Sequence, residues 1–196
     1  MPASGPQRAD RGLAVAGAVI HAQEFDMTSD GSGTLVAAPA PARTTHCIDE
    51  RSITVQRIID APSDLVFLGW TDPIHVARWW GPRGFRGVVR QMDVAVGGRF
   101  RICTVGPDGA EYPIKGTYED VVEPQRLVYV DDWDDERPSQ PSRVTVLFAG
   151  HGPEQTLLSV RIEFAGQAER EAAQARGIVA GWGESFERLD AYLAER

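Results

Sequence analysis

The fold of this chain is indicated most clearly by the segment Trp70-Thr71-Asp72-Pro73-Ile74-His75-Val76-Ala77-Arg78-Trp79-Trp80-Gly81-Pro82. Asp72 is a good N-cap residue and Pro73 suits the first position of a helix, so a short helix is predicted to start here. The closing Gly-Pro pair ends that helix directly after Trp79 and Trp80. Two bulky indoles at a helix end imply a deep apolar interior.

A strand and another short helix are predicted immediately before this segment. The strand starts at Ser52, has the β-branched density typical of strands, and ends at Asp60. Pro62 then stands at a first helical turn and opens a helix whose apolar contacts run from Leu65 to Trp70. Two short helices therefore follow the first strand.

The region after Gly84 is predicted to form six strands joined by turns. Their predicted ranges are 85–94, 98–105, 111–122, 127–133, 143–149 and 156–164. The Gly, Pro and Asp residues between them are typical of turns, so consecutive strands should form an antiparallel meander. Leu158, Val160 and Ile162 alternate with polar residues, as in a strand that buries one face only.

The last segment, residues 167–195, is predicted to be a long helix. It has no proline and is rich in Ala, Glu and Arg, and a bend is expected at its glycines, Gly177, Gly181 and Gly183. An apolar stripe recurs every three or four residues and should face the sheet; it consists of Ile178, Trp182, Phe186, Leu189 and Leu193. The predicted class is α+β, with seven antiparallel strands and a long C-terminal helix.

Residues 1–50 are predicted to be a disordered tail, and residues 51–196 the folded domain. The tail is rich in Ala, Pro and Gly, and residues 37–42 have the composition of a stiff, extended linker. The stretch after Arg11 weakly resembles a signal peptide, but its apolar core is short and interrupted by glycine. An unstructured leader is the favoured interpretation, and translation that starts at Met27 is a further alternative.

The charge balance argues against a nucleic-acid partner. The chain has 196 residues, with 28 acidic against 20 basic side chains and a formal charge of −8, whereas binding to a phosphate backbone needs clustered Lys and Arg. Cys47 and Cys103 are the only cysteines. They do not indicate a disulfide framework, so a cytoplasmic protein is predicted. No apolar stretch is long enough to span a bilayer.

No residue pattern indicates a catalytic or metal site, and no cofactor is expected. His75 lies within a motif, but the remaining histidines lack the paired spacing of a zinc site. The acidic run from Asp131 to Glu136 lacks the glycine and ligand spacing of a calcium loop. This run is interpreted as a solvated strand end.

Several motifs together resemble a known family. They are, in chain order, Asp60-Ala61-Pro62, Arg78-Trp79-Trp80-Gly81-Pro82, Gly97-Gly98-Arg99-Phe100, Pro107-Asp108-Gly109 with Glu111 and Tyr112, Gly116 with Tyr118, Pro124 with Arg126 and Leu127, and Gly181-Trp182 with Leu189. Across residues 52–195 the set resembles the bacterial homologues of the activator of heat-shock protein 90 ATPase, in the START-like (SRPBCC) superfamily. Each motif alone is weak, but their order and spacing are specific.

This resemblance implies a helix-grip fold, like that of the birch-pollen allergen. In that fold a curved seven-stranded antiparallel sheet wraps around a long C-terminal helix and encloses a cavity. The resemblance also implies a homodimer. Related branches bind lipids, sterols, plant hormones or polyketides, or catalyse cyclisation and hydration in the same cavity. The eukaryotic activator binds its chaperone through a large N-terminal domain, whereas only residues 1–50 precede the fold here, so a chaperone partner is not expected.

The leading hypothesis is a domain that binds a small apolar or amphipathic molecule between the sheet and the long helix. The predicted cavity wall is aromatic and consists of Trp79, Trp80, Phe100, Tyr118, Tyr129, Trp182 and Phe186; the same residues could instead simply fill the core. Two alternatives stay open. One is a protein-interaction module that uses the domain surface and the acidic run. The other is a cyclase or hydratase with His75 or a cavity tyrosine as acid or base.

Overall fold

The computed structural model describes residues 44–196. It has one antiparallel sheet and confirms the predicted α+β class. The strands are β1 (Thr44–Ile48), β2 (Ser52–Ile59), β3 (Arg86–Met92), β4 (Arg99–Val105), β5 (Glu111–Val122), β6 (Arg126–Trp133), β7 (Ser142–Gly150) and β8 (Thr156–Glu163). The helices are α1 (Ser63–Thr71), α2 (Pro73–Trp79), α3 (Gln167–Ala175) and α4 (Ile178–Leu193).

The order of strands across the sheet is β1-β2-β8-β7-β6-β5-β4-β3. From β3 to β8 each strand pairs with the next one along the chain, so the predicted meander is confirmed. The alternation predicted for β8 is also confirmed, because Leu158, Val160 and Ile162 are at most 1% exposed. Their side chains belong to the inner face, the face of the sheet that packs in one core with the helices.

The sheet has one strand more than predicted. The additional strand, β1, pairs with β2 along its whole length, from Thr44 opposite Arg57 to Ile48 opposite Ile53. Its residues fall within the segment that the sequence assigned to the tail, and the Arg57 guanidinium fastens it further by donating to the Thr44 hydroxyl at 2.9 Å. The prediction for residues 1–43 lies outside the described residues.

The two short helices start as predicted. The Asp72 side chain caps α2 by accepting from the backbone N–H groups of Ile74 at 2.7 Å and His75 at 3.4 Å. Pro73 occupies the first turn, where a missing N–H has no cost. The last residue of α2 is Trp79 and Trp80 is its C-cap, so the predicted stop at this tryptophan pair is confirmed.

The C-terminal segment forms two helices rather than the single long one predicted. The break is at Gly177, whose φ of 78° lies in the left-handed region that favours glycine. The Gly177 N–H donates to the Gln174 carbonyl at 2.8 Å and closes the end of α3. Gly181 and Gly183 continue α4 without interruption. Of the three glycines expected to bend this segment, only the first does so.

A half-buried arginine, Arg188, holds the end of α2 against α4. The half-buried Arg188 guanidinium donates to four backbone carbonyls, those of Arg78 at 2.9 Å, Trp80 at 3.3 Å, Gly81 at 2.6 Å and Pro82 at 3.0 Å. The last carbonyls of a helix have no partner within the helix, so a cation placed here satisfies them. Burial lowers the pKa of Arg188. Arg188 thereby fixes the position of the adjacent tryptophan pair.

Among residues 44–196, no helix is both long and apolar enough to cross a membrane.

Candidate functional site

The seven aromatic residues predicted to line a cavity are all buried in the common core. They come from two sides of the molecule. Trp79 and Trp80 stand at the end of α2, and Trp182 and Phe186 lie on the buried stripe of α4. Phe100, Tyr118 and Tyr129 lie on the inner face of three adjacent strands, β4, β5 and β6.

The rings on the helical side form one set, here called the helix cluster: Trp70, Trp79, Trp80, Trp182 and Phe186. Their centroids are separated by 4.7 to 6.3 Å in contacting pairs. Trp70 stacks on Trp182 with an interplanar angle of 6°, at 5.9 Å. The sequence analysis placed Trp70 in the decisive segment but did not include it in the cavity wall.

The rings on the sheet form a second set, here called the sheet cluster: Phe100, Tyr118 and Tyr129. Their centroids are 5.2 to 6.0 Å apart. The register explains their meeting, because Tyr118 and Tyr129 are direct cross-strand partners. Within residues 44–196, no aromatic pair joins the sheet cluster to the helix cluster.

Three buried donors in these clusters have no hydrogen-bond partner among the described residues. They are the indole N–H groups of Trp80 and Trp182 and the hydroxyl of Tyr129. An unsatisfied buried polar group costs about 1–3 kcal/mol, so native proteins rarely retain several together. The helix cluster and the sheet cluster, together called the aromatic interior, therefore both present buried groups that can bind a polar atom.

Trp79 differs from its neighbour. Its indole N–H donates to the Gly69 carbonyl of α1 at 2.8 Å, and its side chain is completely buried. Trp79 thus joins α2 to α1, which favours a packing role over a contact with a ligand.

The structure adds Asp131 to the candidate site. Asp131 was interpreted as part of a solvated strand end, but it is only 5% exposed. It lies two residues from Tyr129 on β6, so its side chain shares the inner face with the sheet cluster. Its carboxylate accepts a hydrogen bond from the Ser142 hydroxyl of β7 at 2.5 Å. The alternation of side chains along β6 already predicts that Asp131 points inward, but the acidic residues around it favoured the interpretation as a solvated strand end.

Burial shifts the acid–base behaviour of the inner face. Desolvation is the largest cause in each case, and it raises the pKa of Asp131 to about 7 against the smaller, opposing effect of the Ser142 hydrogen bond. Burial likewise raises the pKa of Tyr118 and, with a contribution from the Asp131 charge, that of Tyr129. The two phenols are therefore neutral near pH 7, and Asp131 titrates there.

The remainder of the acidic run faces the opposite side of the sheet or the surface. Asp134 pairs with Arg101 at 2.5 Å and with Lys115 at 3.6 Å. Arg101 accordingly lies on the exposed face of β4. Asp135 pairs with Arg137 at 2.6 Å, and this arginine covers the ring of Trp133 at 4.2 Å. These carboxylates are neutralised by partners within the chain.

The other residues considered for chemistry lie outside the aromatic interior. His75 is half-buried, and its Nδ1 atom is 2.8 Å from the Tyr192 hydroxyl of α4. Cys103 is buried, and desolvation raises the pKa of its thiol, which disfavours the reactive thiolate. Among residues 44–196, no group of three or more His, Cys, Asp or Glu side chains could hold a metal ion.

The fold defines a START-like, helix-grip domain. A family model described as activator of Hsp90 ATPase homolog 1-like protein matches residues 60–194. The chain belongs to this family, as the motif set predicted. The match begins after β1 and β2 of the observed sheet. The predicted homodimer, cytoplasmic location and lack of nucleic-acid binding stay predictions.

Solved structures share this fold. Protein Ms6760 from Mycobacterium smegmatis is 24% identical, with a TM-score of 0.68 over 76% of this chain and 93% of that one. Protein CV1439 from Chromobacterium violaceum is 26% identical, with a TM-score of 0.63 over 72% and 95%. The AHSA1 protein from Silicibacter pomeroyi is 23% identical, with a TM-score of 0.60 over 74% and 98%. No curated protein matches the sequence.

Proposed function

We propose that this domain binds one small amphipathic molecule between the sheet and α4. The observation that carries the proposal is the set of buried donors that have no partner among residues 44–196: Trp80, Trp182 and Tyr129. A ligand oxygen that accepts from the two indoles would remove their desolvation cost, which is about 1–3 kcal/mol for each group. The surrounding rings would contact the apolar part of the ligand.

The proposal extends to the residues of the wall. Trp80, Trp182 and Phe186 would contact the ligand from the helical side, and Phe100, Tyr118 and Tyr129 from the sheet. Trp79 was part of the predicted wall, but its indole N–H already donates to the Gly69 carbonyl, which favours packing between α1 and α2 over a contact with the ligand.

The test is an affinity measurement with 1-decanol, which combines an apolar chain with one hydroxyl group. Its binding is followed by displacement of the fluorescent probe N-phenyl-1-naphthylamine from the full chain. We expect saturable binding at one molecule per chain. Trp182→Phe removes one donor but keeps an aromatic ring, so it should weaken the affinity for 1-decanol by about fivefold.

Trp79→Phe is the matched control. It removes an indole N–H that is already bonded within the protein, so it should lower the free energy of unfolding but leave the affinity for 1-decanol unchanged. Equal effects of the two substitutions on the affinity for 1-decanol would contradict the proposed site. The absence of saturable binding would contradict the proposed function.

A further inference from the structure

The carboxyl of Asp131 lies on the inner face of β6, and the residue is only 5% exposed. Its hydrogen bond comes from the neutral Ser142 hydroxyl, and no basic side chain among residues 44–196 forms an ion pair with it. Lys115 on β5 and Arg143 on β7 project from the other face, where they pair with Asp134 and with Glu119. Buried charges in proteins are otherwise paired, because an isolated ion loses its hydration without compensation.

The surroundings of this carboxyl suit a cation. Phe100, Gly116, Asp131 and Ser142 are successive partners across β4, β5, β6 and β7. Gly116 contributes no side chain next to Asp131, and the Phe100 ring lies over it, only 2.3 Å from where a Cβ atom would stand. An aromatic ring therefore lies over the cross-strand partner of Asp131, and ring faces attract ammonium groups.

Tyr129 supplies a second, independent indication that a ligand belongs here. Tyr129 is only 2% exposed and lies on the same face as Asp131, two residues away, and its hydroxyl has no hydrogen-bond partner among the described residues. A phenol oxygen can accept a hydrogen bond as well as donate one. Tyr129 shares the face of Asp131 on β6, Tyr118 on β5 lies opposite Tyr129, and Ser142 faces Asp131 from β7. Asp132, the next residue on β6, points to the other face of the sheet. None of these side chains carries a positive charge.

We propose that the amphipathic ligand carries a protonated amine, which pairs with the Asp131 carboxylate and donates to the Tyr129 hydroxyl. This inference rests on the proposed function and specifies the ligand class of the same site. The ammonium group would supply a counter-charge that none of residues 44–196 provides at Asp131. The net charge of −8 would also attract a cationic amphiphile and repel an anionic one.

The experiment compares three molecules of equal chain length: decylamine, 1-decanol and decanoate. Affinities are measured on the full chain by displacement of N-phenyl-1-naphthylamine at pH 8. We expect decylamine to bind at least tenfold more tightly than 1-decanol, and decanoate to bind more weakly than both. In the Asp131→Asn variant the difference between decylamine and 1-decanol should fall below twofold, while binding of 1-decanol persists and shows that the variant is folded.

A second measurement needs no variant. The preference of the natural chain for decylamine over 1-decanol should increase by roughly tenfold from pH 6 to pH 8, because decylamine stays cationic while the carboxyl loses its proton. Equal affinity for decylamine and 1-decanol, or a preference that survives in Asp131→Asn, would overturn the amine proposal and leave the cavity proposal intact. Failure of all three molecules to bind would overturn both.

Discussion

At the scale of single residues, the carboxyl of Asp131 is buried on the inner face of β6 and accepts a hydrogen bond from the Ser142 hydroxyl. The period of two in β6 places the Asp131 side chain beside Tyr129, so its burial could have been derived from the pattern. The four other acidic residues nearby favoured a solvated interpretation instead. The unpartnered state of Trp80, Trp182 and Tyr129 could not be derived, because it depends on where distant elements meet.

The acidity of Asp131 makes the stability of the domain depend on pH. Burial raises its pKa to about 7, from 3.8. Between these two values the folded state holds a proton that the unfolded state has lost. The free energy of unfolding therefore falls as the pH rises over this range and levels off above about pH 7. From pH 5 to pH 8, urea unfolding should show a fall about 2–3 kcal/mol larger for the natural chain than for Asp131→Asn.

The control for this pH effect is Asp64→Asn, which changes an exposed carboxylate in the first turn of α1. It should retain the steep pH dependence of the natural chain. If the free energy of unfolding of Asp131→Asn depends on pH as steeply as that of the natural chain, burial does not raise the pKa of the Asp131 carboxyl.

At the scale of elements, local capping and turn residues could be predicted, whereas contacts between elements could not. Asp72 and Pro73 identify the start of α2 from the sequence alone. The cap at its other end comes from Arg188, which is 108 residues away from Trp80 in the chain. Backbone carbonyls have the same chemistry in every sequence, so nothing local indicates this partner.

Arg188→Met should destabilise the domain by about 2–4 kcal/mol. Methionine replaces the apolar methylene part of the arginine side chain, but the carbonyls of Arg78, Gly81 and Pro82 lose their charged donor. Arg126→Met removes an exposed ion pair with Asp120 and should cost no more than about 1 kcal/mol. Urea unfolding of both variants measures the difference, and similar losses would argue against a capping role.

The break between α3 and α4 predicts opposite effects at two glycines of one segment. Gly177→Ala forces a side chain into the left-handed region and should destabilise the domain by about 1 kcal/mol. Gly183→Ala lies within α4, where a Cβ atom would make an ordinary contact with Thr44 at 3.7 Å, and should stabilise the domain by about 0.5–1 kcal/mol. Thermal unfolding that shifts in the same direction for both variants would contradict this structure of the segment.

At the scale of the whole molecule, the hydrophobic periods were sufficient to predict the meander, and the motif set was sufficient to predict the family. They missed β1, since an edge strand is defined by its partner and the segment Thr44–Ile48 is too short to show a period. The predicted boundary at residue 50 followed from composition, which changes after this strand.

Two truncated chains test where the folded domain begins. A chain without residues 1–43 should match the full chain in its free energy of unfolding to within about 0.5 kcal/mol. A chain without residues 1–50 loses the β1 ladder and the hydrogen bond from Arg57 to Thr44, and should be less stable by about 1–3 kcal/mol. Equal stability of both truncated chains would make β1 dispensable for the domain.

The central claim is that the aromatic interior holds an amphipathic molecule, and native mass spectrometry tests it most directly. The full chain is purified without detergent from the organism that makes it, and any molecule released from it is identified. We predict one amphipathic passenger per chain, whose return to the stripped protein raises the melting temperature. A protein that carries no passenger, and that none of the three decyl compounds stabilises, would contradict the account.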